Sequence, residues 1–144
     1  MSSLGELLSG DAKNKLLIES LKVGDVFLKP FEGVAHDKFF IVVGLSNTKI
    51  YACSVYINSE IHISIKDKPS IIKTQIPLLK SKYKFLKHDS FANCNYPLYM
   101  SVETVFKMET DFKIIGKIEK SDFALIQKTV KDLLSEDEIE KYFS

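Results

Sequence analysis

Two apolar runs joined by a small polar turn constrain this chain more than anything else in it. They are GDVFLKPF at residues 24–31 and KFFIVVGL at residues 38–45, separated by EGVAHD. Each run has strand length, is rich in β-branched and aromatic residues, and is bounded by turn-forming glycine and acidic residues. A glycine-aspartate start, a strand, a loop and then an apolar run headed by one lysine is how a small closed β-barrel begins. That order holds a single cation, Lys38, at the barrel mouth.

The pattern continues beyond the first hairpin. Strand-like stretches follow at residues 49–57 and 60–65, with turns at Ser46-Asn47 and Asn58-Ser59, so the first part of the chain is a meander. Residues 66–88 are rich in lysine and interrupted by Pro69 and Pro77, which reads as a loop or edge strand leading into residues 83–86. DSFANCNYP at 89–97 and a strand over 98–108 come next. Ser121 is the expected N-cap of a helix whose apolar positions Phe123, Ile126, Val130, Leu133 and Leu134 share one face. Ser135 and Glu138 predict a capping box for a short terminal helix. A short helix over residues 11–21 precedes the barrel as an appendage. The reading is therefore mainly β with helices (α+β): residues 1–23 as a helical extension, and residues 24–144 as one small barrel domain with packed C-terminal helices.

At 144 residues and 45% hydrophobic content the chain has material for one core. Its 20 basic residues are all lysine and nearly cancel 19 acids, so net charge alone points to no nucleic acid, and no guanidinium fork exists anywhere. Cys53 and Cys94 show no metal-ligand spacing and are expected as buried reduced thiols; no metal or cofactor is implied. Neither a signal-peptide pattern nor an apolar run of membrane-spanning length is present, which leads to the expectation of a soluble cytoplasmic protein without a membrane partner.

The order of these pieces resembles the PemK/MazF family of toxins from toxin–antitoxin modules. GDVFLKPF, KFFIVVGL, YACSVYINS at 51–59, DSFANCNYP and IGKIEKSDFALIQKTVKDLL at 115–134 carry the likeness, over about residues 24–134. The resemblance implies an SH3-like barrel, a homodimer, an antitoxin partner and metal-independent cleavage of single-stranded RNA, with the internal 2′-hydroxyl as nucleophile. The chain departs from the family at telling places. Lys38-Phe39 stands where the family has Arg-Pro, and Asn93 and Asn95 flank the cysteine where some members carry an arginine and an acid.

RNA transesterification needs a proton acceptor, a proton donor and positive charge around the phosphorane. Lys38 is the candidate for charge stabilisation and His36, two residues earlier, for proton transfer. Ser54 lies where the family places a hydroxyl, with Tyr56 or Ser59 as the alternatives if the alignment shifts. Lys80, Lys82 and Lys84, interleaved with Tyr83, could track an RNA backbone while the ring stacks on a base, and Asn93 and Asn95 extend that surface. His62 and His88 read as structural or surface residues. Each candidate also has a plain structural reading: a solvated hairpin turn for His36, a satisfied core hydroxyl for Ser54, a lysine edge that blocks strand addition for 80–84. The alternative to a ribonuclease is a non-catalytic barrel that binds a protein or nucleic-acid partner.

Overall fold

The computed structural model describes residues 20–29, 38–47, 51–61, 66–101 and 114–143. The expected helix at 11–21, the EGVAHD loop with His36, the strand at 60–65 and the extension of the 98–108 strand fall wholly or largely outside the described residues. The described part is mainly β with helices. Strands β1 (Asp25–Lys29), β2 (Lys38–Leu45) and β3 (Tyr51–Asn58) form an antiparallel meander. Helix α1 (Pro69–Ile72) and strands β4 (Gln75–Leu78), β5 (Ser90–Asn93), β6 (Leu98–Ser101) and β7 (Ile114–Lys117) follow. Helices α2 (Lys120–Lys131) and α3 (Glu136–Tyr142) end the described chain.

The sheet runs β4-β5-β3-β2-β1-β7, with β6 added on β3. Strand β3 is the hub because its second edge is divided. Residues 51–54 pair with β6, whereas Ile57 and Asn58 pair with β5, opposite Ala92 and Phe91. Among the described residues the path is open, ending at β4 and β7.

After Lys38, β2 is apolar to its end because both of its faces are covered. Ile41 and Val43 join one cluster with Val26, Cys53, Val55 and Ile57, on which α2 seats the fully buried Ile126 and Val130. Phe40 and Val42 point to the other face, with Phe27, Ala52 and Leu21. Phe27 and Phe40 stack with centroids 5.3 Å apart. Burying Ile126 and Val130 completely is worth about 2 kcal/mol each, enough to fix α2 on the sheet.

The glycine-aspartate start has a local cause. Gly24 turns the chain with φ +90°, a conformation costly for any side chain. Its N–H donates to the Val42 carbonyl at 2.7 Å and its carbonyl accepts from Ile118 at 2.9 Å, so the turn is tied to β2 and to the residue after β7. Asp25 closes the turn by accepting from the Lys22 N–H at 2.8 Å.

Two sequence expectations are revised, the absence of a helix in residues 66–88 and the start of α2, while β4 meets the edge-strand alternative for that segment. Residues 66–88 contain α1, which Pro69 starts rather than breaks because a helix's first N–H needs no partner. They also contain β4, the edge strand, with Pro77 on its exposed side. Helix α2 begins at Lys120 with Glu119 as N-cap, so Ser121 is inside it. The Ser135–Glu138 capping box is present as expected. No described helix is long and apolar enough to cross a membrane.

Candidate functional site

The antiparallel register that pairs Phe40 with Tyr56 puts Lys38, two residues out, across from Asn58. Lys38 Nζ donates to Asn58 Oδ1 at 2.8 Å and stands 5.5 Å from the centroid of the Tyr56 ring. A flexible lysine is thereby held by an amide oxygen and an aromatic face, both supplied by β3.

Beside this lysine, the sheet end and the segment 86–90 enclose a half-open cavity of about 590 Å³, large enough for a nucleotide-sized ligand. Leu28, Phe39, Ile57 and Leu86 supply its apolar lining; Lys38, Lys87 and His88 bring the charge-bearing groups, and Ser59 and Ser90 add hydroxyls. The β3–β5 pairing explains the gathering. Asn58 opposite Phe91 places the residues just after β3 against those just before and at the start of β5.

The other sequence candidates are distributed differently. Ser54 is 2% exposed in mid-sheet, opposite Val42 and Leu98, so its hydroxyl belongs to the core; Ser59, the alternative, is exposed and lines the cavity. His36 lies outside the described residues. Tyr83, expected as a stacking platform, is 4% exposed. Its hydroxyl donates to Asp122 Oδ2 and accepts from the Glu119 N–H at 3.1 Å, so it fastens the start of α2 and offers no open face to a base. Burial, and then its role as donor to the Asp122 carboxylate, push the Tyr83 phenol well above its ordinary value.

Asn93 is also an interior group: Gln75 Nε2 donates to its Oδ1 at 2.7 Å across the β4–β5 ladder, and the Asn95 N–H reaches the same oxygen at 3.3 Å. Asn95 itself is half-buried on the turn that follows β5. Lys80, Lys82 and Lys84 are exposed on a run of turns, but Lys82 sits 3.6 Å from Asp122 and 4.0 Å from Glu119. The lysine-rich segment is thus partly neutralised by α2.

His88 is the residue that sequence reasoning passed over. It stands in a KHDS tetrapeptide whose acid accepts from the Lys80 N–H and whose serine donates to the His88 carbonyl, and no spacing rule connects position 88 to position 38. Cys53 and Cys94 are free and buried, with thiols pushed up to about 12, mainly by burial. Among the described residues no group of three or more His, Cys, Asp or Glu side chains could hold a metal ion.

No protein-family model matches the chain, and no curated protein is significantly similar to it. The site's chemistry therefore carries the functional argument. An apolar floor beneath two ammonium groups and an imidazole suits a ligand with a flat, weakly polar part and an anionic part.

Proposed function

We propose that this chain is an SH3-like barrel protein of the PemK/MazF type that binds single-stranded RNA and cleaves it without a metal, under the restraint of an antitoxin. The observation that carries the reading is the cavity that sets Lys38 and Lys87 over an apolar floor at the end of β2 and β3. A nucleotide seated there would place its base against Phe39, Leu86 and Ile57 and its phosphate near the lysines. Lys38, oriented by Asn58 and Tyr56, would offset the charge that develops on the phosphorane as the 2′-oxygen attacks phosphorus and the bond to the 5′-oxygen breaks.

The test is incubation of the purified chain with a long unstructured RNA in EDTA, followed by mapping of new 5′ ends. Discrete cuts, slowed by about 100-fold or more in Lys38→Ala, are expected, the cost of removing one preorganised donor to a transition-state oxyanion. Cuts that persist unchanged in Lys38→Ala would remove Lys38 from the reaction. Intact RNA would transfer the case to a non-catalytic barrel that binds a partner, a reading favoured by the burial of Ser54, Tyr83 and Asn93 in packing roles.

A further inference from the structure

Transesterification at the proposed site requires a group that moves a proton, and the cavity restricts the choice. Among the described residues that line it there is no carboxylate. Lysine ammonium groups donate and stabilise charge, and serine hydroxyls are themselves too weakly basic to take a proton from a 2′-hydroxyl. Among the described lining residues one imidazole remains. His88 is exposed and lines the cavity together with Lys38 and Lys87.

Its backbone is fixed from both directions. Ser90 Oγ donates to the His88 carbonyl at 2.8 Å, and Ser90 is 5% exposed at the head of β5. Asp89 Oδ1 accepts from the Lys80 N–H at 2.8 Å, which occupies the neighbouring carboxylate with the preceding turn. Leu86, two residues earlier, is buried in the main core. The imidazole is therefore carried on a short segment anchored at both ends.

We propose that His88 is the proton-transfer residue of this site, an inference that rests on the ribonuclease reading above. The neutral imidazole takes the proton of the 2′-hydroxyl as the O2′–P bond forms. It returns that proton to the 5′-oxygen as the P–O5′ bond breaks. The products are a 2′,3′-cyclic phosphate and a free 5′-hydroxyl, the imidazole ends unchanged, and no further reactant is consumed.

The experiment compares the unsubstituted chain with His88→Ala and His88→Gln on a short single-stranded RNA in EDTA, with and without added imidazole. Affinity is measured in parallel on the same oligonucleotide carrying a 2′-deoxy nucleotide at the cut. Both variants should cleave about 10²–10⁴-fold more slowly, with affinity for the uncleavable strand changed by less than about twofold. Added imidazole should restore a measurable part of the rate to His88→Ala, which a purely structural role would not allow. Cleavage by either variant at the original rate overturns the proposal, as does a slow His88→Ala that imidazole leaves slow. If the unsubstituted chain leaves the RNA whole, the ribonuclease reading fails and takes this role with it; cleavage by the unsubstituted chain that the variants match in rate fails His88 alone.

Discussion

Replacing Tyr83 by Phe separates a structural role from a recognition role with one oxygen atom. The ring stays, so any stacking on a nucleobase would survive. What disappears is the bond to Asp122 and the acceptor of the Glu119 N–H, the two contacts that hold the start of α2. A hydrogen bond to a charged partner contributes about 1.5–3 kcal/mol. The Asp122 side chain is only 17% exposed but keeps Lys82 at 3.6 Å, and Glu119 is an exposed residue. These offsets put the net loss at about 2 kcal/mol. For a chain of 144 residues the unfolding entropy is about 0.3 kcal/mol per kelvin, so the melting temperature should fall by about 7 °C. Calorimetry at pH 7 reads that shift, with RNA affinity measured on the same sample and expected to stay level. A fall of less than about 2 °C would refute the clamp; a loss of RNA affinity at unchanged stability would place the Tyr83 hydroxyl, though not its ring, in RNA recognition.

The same hydroxyl makes an alkaline prediction. Tyr83 keeps its proton more firmly in the folded chain than in the unfolded one, because of burial first and its bond to Asp122 second. The folded state therefore binds the extra proton as pH rises, and by linkage stability falls in that range. The contribution is complete below the ordinary phenol value near 10 and is lost progressively above it. Tyr99 is raised in the same direction, chiefly by burial, so the Tyr83→Phe chain should retain part of the alkaline decline and lose the rest.

Two further outcomes are expected. Gly44→Ala would build a Cβ 2.5 Å from the Tyr142 carbonyl oxygen and 2.8 Å from Phe143 Cε1, so α3 must lift from β2; a loss of about 1–3 kcal/mol in urea unfolding is expected, and an unchanged midpoint would contradict the close approach. Cys53 and Cys94, buried and with thiols pushed up to about 12, should resist iodoacetamide at pH 8 in the folded chain and both react in denaturant; fast native labelling of either would show that its site opens.

Legibility in the sequence followed how local the cause was. Strand β2 is readable residue for residue, since an unbroken apolar run bounded by turns leaves little choice once both faces are buried. The α3 capping box is equally local, two residues three positions apart that bond to one another. The start of α2 is not. Its N-cap, Glu119, makes no side-chain cap bond, and the terminus is held by a tyrosine 36 residues away. A rule that looks for a nearby hydroxyl selects Ser121 because the true partner lies in another part of the chain. Prolines misled for a related reason: Pro69 and Pro77 break a pattern on paper, yet one opens a helix and the other faces outward from an edge strand. The site divides the same way. Lys38 was visible as the lone cation before an apolar strand, whereas Asn58 reaches it only through the register of β2 on β3, and His88 comes to the same cavity only through that of β3 on β5.

The absence of arginine can then be weighed against the geometry. A guanidinium brings its own planar fork and pays little to orient it; a lysine ammonium is a point charge on four rotatable carbons. Here the orientation comes from the neighbours. Asn58 takes one of three ammonium protons in a bond of 2.8 Å, and the Tyr56 ring flanks the charge at 5.5 Å, so the lysine is directed before any ligand arrives. Two further N–H groups on the same nitrogen can then address two oxygens of one phosphate, which recovers part of what a fork would give. Asn58 is thus a positioning residue, and two roles that an arginine would combine are divided here: Lys38 supplies the charge, while β3 supplies the aim.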